Sequence, residues 1–248
     1  MTNFFKDIYA NKAGQYEAMV AREDYQSNIP RAMQELRPLE GLEVVELGAG
    51  TGRLTAMIAP LARRIRAFDE SAHMLAVAAA KLEEAGLENW ETAVADNGGL
   101  PVGDGEADLA IAGWSLGHAT GWYPDTWKAE IGKALAEMHR VTAPGGTIII
   151  LETMGTGRET PEPPAKGLAK FYAWLEEELG YSYRWIRTDY RFKSPEEAAE
   201  LTRFFFGDEL ADRLLEGGRT ILPECTGIWW RHVPASASQS GNCGIILL

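Results

Sequence analysis

The residues with the most chemical content stand together in Glu46-Leu47-Gly48-Ala49-Gly50-Thr51-Gly52. Glycines admit sharp turns closed to other residues and let a ligand approach the main chain. A helix that starts just after such a turn presents unpaired N–H groups and a partial positive charge. The spacing is G-x-G-x-G, whereas a dinucleotide fingerprint is G-x-G-x-x-G. The displaced third glycine disfavours NAD or FAD, and the missing lysine excludes a P-loop. Asp69 follows the turn at roughly the 20-residue distance where one carboxylate accepts both hydroxyls of a ribose diol. Asp96, before Asn97, stands where a carboxylate can accept an exocyclic amine such as that of adenine. Each has a plainer reading: a tight turn, a helix cap at Asp69, and a turn residue at Asp96 before Gly98-Gly99. Together they carry more weight, because successive strand ends line one edge of a sheet.

His118 ends the run Trp114-Ser115-Leu116-Gly117-His118. Histidine titrates near neutrality, so it is the candidate base for an acceptor hydroxyl; its plainer role is to bond a loop carbonyl. Trp122, Tyr123, Asp125 and Trp127 follow, either lining an acceptor pocket or packing a helix start. Segments 184–191 and 223–231 are dense in cations and aromatics. Edge-strand packing with charged outer faces is the preferred reading there. Glu152, Tyr190 and Glu224 are the residues of this half singled out for an acceptor site.

The elements that must position these groups follow from apolar periodicity and punctuation. Helical spacing runs through residues 13–36, punctuated by Pro30 and Pro38. Residues 42–47, 65–68, 90–95, 108–112 and 147–151 read as strands, the last as a run buried on both faces. Residues 53–63, 72–85 and 125–141 read as helices, the second capped by Ser71 and closed by Gly86. This alternation implies βαβ units and a parallel sheet covered on both faces. Beyond residue 152 comes a Gly/Thr/Pro loop at 155–164, then a helix whose face is Leu168, Phe171, Tyr172, Leu175 and Leu179. A strand at 183–192 follows. Ser194-Pro195-Glu196-Glu197 opens a helical stretch to about 216 that breaks at Gly207-Asp208. A last strand spans 221–233.

Composition limits the function. The 248 residues are 46% hydrophobic and 24% charged, with formal net charge −12 and pI about 4.9. Such a surface disfavours a nucleic-acid partner. The short basic run Arg63-Arg64-Ile65-Arg66 reads as helix-end charge. Cys225 and Cys243 are the only cysteines, too few for a disulfide framework or a metal site. No apolar run reaches membrane-span length, and Lys6 and Asp7 argue against a signal peptide. A cytoplasmic location is expected.

Residues 42–152 resemble the class I S-adenosylmethionine (SAM)-dependent methyltransferase family. VVELGAGTGRLT matches its first motif, and FDESAHML resembles its second. VADNGGLPVGDGEADLAIAGWSLGH resembles the region of the third and fourth strands, and EMHRVTAPGGTIIILE the turn and fifth strand. The resemblance implies a doubly wound, Rossmann-like α/β fold: a mostly parallel seven-stranded sheet with an antiparallel last strand, plus an N-terminal helical segment. It implies SAM as cofactor and S-adenosylhomocysteine (SAH) as product. It assigns Glu46, Gly48, Ala49, Gly50 and Gly52 to the methionine moiety and ribose edge, and Asp69 to the ribose hydroxyls. Glu70 and Met74 fall beside the adenine, with Asp96 and Asn97 at its amine. Gly113 and Trp114 fall on the sulfonium side, and Tyr16 closes over the methionine carboxylate. No metal is implied.

The expected activity is methyl transfer to a small-molecule acceptor. The alternatives are a SAM-binding protein with a non-methyl group transfer or without turnover, a protein methyltransferase, and a nucleotide-dependent oxidoreductase that the glycine spacing opposes. No Asn-Pro-Pro-aromatic sequence of nucleic-acid methyltransferases follows the fourth strand. Residues 1–40 are expected to form a helical cap and 41–233 the SAM-binding domain, with 155–233 shaping the acceptor site and 234–248 a flexible tail.

Overall fold

A computed structural model describes Ile8 and residues 11–235 of the chain. The start of the expected cap and residues 236–248 of the expected tail lie outside the described residues. Seven strands form one sheet in the order β3-β2-β1-β4-β5-β9-β6. They are β1 (Glu43–Leu47), β2 (Arg64–Asp69), β3 (Trp90–Val94), β4 (Ala107–Gly113), β5 (Thr142–Thr156), β6 (Ser182–Arg187) and β9 (Glu224–His232). The first five pair in parallel, while β9 runs antiparallel between β5 and β6. From β1 the chain travels outward to β2 and β3, then returns to lay β4 on the other side. The order therefore reverses between β1 and β4, where open α/β sheets hold their ligands.

Side chains alternate across the sheet. Val45, Leu47, Ala110, Ala112, Ile148 and Ile150 pack on one face with Ile131, Leu135 and Met138 of a helix at Trp127–Val141. Val44, Leu109, Ile111, Ile149 and Leu151 face the other way, against Ile29, Met33, Leu54 and Ile58. Period-two alternation between two apolar layers explains why these strands read as continuous apolar runs.

The α-helices are α1 (Ala13–Val20), α2 (Asn28–Leu36), α3 (Arg53–Ile58), α4 (Ala72–Glu84), α5 (Ala119–Trp122), α6 (Trp127–Val141), α7 (Lys166–Ala173), α8 (Pro195–Phe206) and α9 (Asp208–Glu216), with a 3₁₀ turn at Leu116–His118 and a π-helical turn at Trp174–Glu178. The Ser71 cap accepts the Met74 N–H at 3.3 Å, and Ser194 accepts that of Glu197 at 3.2 Å. No helix of the described residues is long and apolar enough to cross a membrane.

Five expectations change, the first being the helix expected at 53–63, which ends at Ile58. The helical spacing over 13–36 resolves into two helices, interrupted where Asp24 and Ser27 adopt positive φ of 56° and 57°. Pro30 falls inside the first turn of α2, where no backbone donor is needed, so it opens a helix rather than ending one. The strand expected at 183–192 ends at Arg187, and Tyr190–Arg191 (β7) pairs instead with Ile221–Leu222 (β8) in a separate ribbon. The strand expected at 221–233 is likewise divided at Pro223, which has no N–H to give a ladder.

Candidate functional site

Gly48, Gly50 and Gly52 have φ of +64°, +56° and +72°, the region that side chains resist. They carry the chain from β1 into α3. A Cβ at Gly48 would lie 2.3 Å from the Cβ of Ser115, so this glycine lets the loop after β4 close on the turn. Asp69 at the end of β2 locks the arrangement: Oδ2 accepts the Gly50 N–H and Oδ1 the Ser71 N–H, both at 2.8 Å. Burial pushes its carboxyl upward, against those two bonds.

Above the turn lies a cavity of about 600 Å³. Of the sequence candidates, Tyr16, Glu46, Gly48, Ala49, Gly50, Asp69, Glu70, Met74, Asn97, Gly113, Trp114 and His118 line it. Gly52 and Asp96 do not. A Cβ at Gly52 would meet that of Ala78 at 2.9 Å, so this glycine serves the packing of the turn on α4. Asp96 is exposed and accepts the Gly98 N–H at 2.7 Å, capping its own turn. Its neighbour Asn97 lines the cavity instead. Thr51, Arg53, Leu54, Ser71 and Ser115 also line it and were not singled out by sequence.

The cavity is rich in acceptors. Glu46 is buried and accepts the Thr55 hydroxyl at 2.6 Å, and burial pushes its carboxyl up to about 7. Asn97 Oδ1 and Thr51 Oγ1 are buried without a partner. Buried polar atoms are normally paired, so these two suit a ligand that carries amine and hydroxyl donors. The residues present thus fit the ammonium, ribose and adenine of SAM.

A second cavity, of about 570 Å³, shares a wall with the first. Tyr16, Arg53, Trp114, His118 and Trp122 line both. Trp114 holds φ +51°, an unusual conformation for a bulky residue and one that clusters at functional sites. The Arg53 guanidinium lies 3.4 Å over its ring and pairs with Glu23. His118 stacks on Trp122 with ring centroids 5.0 Å apart and planes 11° apart. Burial pushes its imidazole down to about 4, against a hydrogen bond to the Trp114 backbone, so the ring is neutral. Tyr16 of α1 completes the wall, its ring 5.5 Å from that of Phe205, and a Lys81–Glu17 ion pair of 2.9 Å ties α1 to α4.

Beyond the wall, Glu152, Tyr190 and Glu224, all singled out by sequence, line the second cavity with Leu168, Phe205, Phe206 and Leu210. Trp122 lines both cavities and Tyr123 the first alone. Asp125 and Trp127 line neither, and Trp127 packs edge-on against Phe171 and Trp174. The cations of segment 184–191 line neither cavity, and Arg187 pairs with the buried Asp189 at 2.8 Å. Glu23 is the residue of this site with no local sequence signal: its partner Tyr190 is 167 positions away.

Residues 44–146 match the family model described as a methyltransferase domain. The chain is 32% identical over 122 residues to the ubiquinone/menaquinone biosynthesis C-methyltransferase UbiE of Rubrivivax gelatinosus, covering 49% of this chain and 43% of that protein. It is 28% identical over 152 residues to the demethylmenaquinone methyltransferase of Bacillus velezensis, covering 60% and 61%. The chain thus spans about half the length of the curated relatives it matches. A SAM-dependent methyltransferase from Aquifex aeolicus shares the fold with TM-score 0.54 at 17% identity, over 88% of this chain and 96% of that one. The [4+2]-cyclase SpnF shares it with TM-score 0.55 at 21% identity, over 91% and 98%.

Proposed function

We propose that this chain, whose residues 44–146 match the methyltransferase-domain model, is a class I SAM-dependent methyltransferase that moves a methyl group from SAM to a small-molecule acceptor. The observation that carries this reading is the shared wall. One cavity suits SAM, the other is largely apolar, and the two meet at Trp114 and His118. Bound SAM supplies a methyl group activated on a sulfonium.

The protein's own residues do the rest by position. Asp69 is placed for the ribose hydroxyls, Asn97 for the adenine amine and Glu46 for the ammonium group. Tyr16 and Trp114 exclude water where the cavities join. Alignment of reacting groups of this kind supplies on the order of 7–11 kcal/mol. His118, neutral and on the wall, is the group placed to accept an acceptor proton. Residues 41–233 form the SAM-binding domain in this reading, with the preceding helices as its cap. The relatives' names and the net charge of −12 support a small molecule over a nucleic acid, and a cytoplasmic setting fits.

Incubating the purified chain with methyl-labelled SAM and a cell extract separates the possibilities. Label is expected in the small-molecule fraction. Label confined to protein or nucleic acid, or none transferred, would overturn the reading.

A further inference from the structure

The second cavity carries an excess of carboxyl groups that methyl transfer does not use. Its wall holds three carboxyl side chains, Glu23, Glu152 and Glu224, against one guanidinium, Arg53. Arg53 is already engaged by Glu23 and by the Trp114 ring. The acids are buried, with exposures of 9%, 4% and 2%.

Glu152 serves the backbone, its Oε1 accepting the Gly117 N–H at 2.8 Å. The other two are half satisfied. Glu23 Oε2 accepts Arg53 and the Tyr190 hydroxyl, the latter at 2.9 Å, while its Oε1 has no partner. Glu224 Oε1 accepts the Thr153 hydroxyl at 2.7 Å and the Thr156 hydroxyl also stands at this carboxyl, while Oε2 has no hydrogen bond of ordinary geometry. A buried acceptor left unsatisfied is destabilising, and more so if it is charged. The two residues come from distant segments, Glu23 after α1 and Glu224 at the start of β9, and both line one chamber. The remaining wall includes Trp114, Trp122, Tyr190, Phe205 and Phe206. Aromatic faces attract cations electrostatically.

We propose that this chamber receives an acceptor with an apolar body and a protonated amine, whose N–H groups are taken by Glu224 Oε2 and Glu23 Oε1. The proposal rests on the methyl-transfer reading for the word acceptor. An ammonium brings three donors and no lone pair, which matches two unpartnered acceptors on an otherwise largely apolar wall. A hydroxyl brings one donor and exposes its own lone pairs to the same carboxylates. A carboxylate or phosphate ligand meets like charge. Burial pushes the Glu224 carboxyl upward, and a cation in the chamber supplies the missing counter-charge.

Calorimetry on the full chain tests this with two matched sets. One is tryptamine, tryptophol and indole-3-propionate; the other is phenethylamine, 2-phenylethanol and 3-phenylpropionate. SAH is titrated first, and each probe is then titrated with and without SAH. At least one amine should bind tenfold or more tighter than its alcohol, with the carboxylates weakest. Glu224→Gln should shrink the amine preference to within threefold while SAH binds as before, which also shows the variant is folded. Equal binding of amine and alcohol, preference for a carboxylate, no binding by either amine, or full preference retained in Glu224→Gln would each overturn the proposal. Failure of the parent chain to bind SAH would refute the methyl-transfer reading instead, and the titrations without SAH would still report the amine preference.

Discussion

Replacing Gly48 by alanine strikes the point where the first cavity begins. Gly48 has φ +64°, and a Cβ there would sit 2.3 Å from Ser115 Cβ and 2.6 Å from Ser115 Oγ. Alanine in the left-handed region costs about 1–2 kcal/mol. Forcing a methyl group into an occupied site costs about 1–3 kcal/mol. The variant should therefore lose roughly 2–5 kcal/mol of stability. Ser115 also lines the cavity, so relief by moving it should weaken SAH binding. Urea denaturation with calorimetric titration of SAH reads both effects. The double variant Gly48→Ala/Ser115→Gly removes the overlap but not the torsional cost, so it should regain about 1–3 kcal/mol of the loss. A Gly48→Ala protein within about 0.5 kcal/mol of the parent would refute the reasoning. So would a double variant no more stable than the single one.

Two further outcomes follow from the buried titratable groups. Burial pushes Glu152 up to about 8 and Glu46 up to about 7 from an ordinary value of 4.5. The folded chain then holds protons that the unfolded chain releases, so the stabilisation is full below the ordinary value and is lost as pH rises through 7 to 8. Thermal melts should show Tm falling from pH 6 to pH 9, less steeply in Glu152→Gln; a parent Tm that rises over this range contradicts the assignment. His118→Gln should lower kcat at saturating SAM by about 100-fold or more if the imidazole takes the acceptor proton. An unchanged kcat would remove that role and leave His118 as a wall residue stacked on Trp122.

The half of the fold that carries the first cavity was legible because its signals are local. β1, β4 and β5 carry apolar runs followed by glycine or an acid, and β2 ends in Asp69. The three positive-φ glycines announce the turn by spacing alone. Asp69 was legible for the same reason: its hydrogen bonds go to Gly50 and Ser71, within the motifs themselves. Asp96 and Asn97 were not separable, because backbone direction over one residue decides which side chain faces the cavity. The second half was harder. Pro223 divides a run whose alternation reads unbroken, and Asp189 turns the chain out of β6 by pairing with Arg187 and accepting the Glu224 N–H at 3.0 Å. Glu23 and Arg53 matter through contacts with Tyr190 and Trp114 that only the closed fold creates.

The central claim is that the cavity over the glycine turn holds SAM. Calorimetric titration of SAH into the full chain, with NAD as the competing ligand, tests it most directly. SAH should bind at one site per chain and NAD should give no heat. Asp69→Ala should weaken SAH at least tenfold, since hydrogen bonds to a charged group contribute about 1.5–3 kcal/mol each. Binding of NAD with no response to SAH would contradict the claim, and an Asp69→Ala affinity equal to that of the parent would contradict the ribose assignment on which it stands.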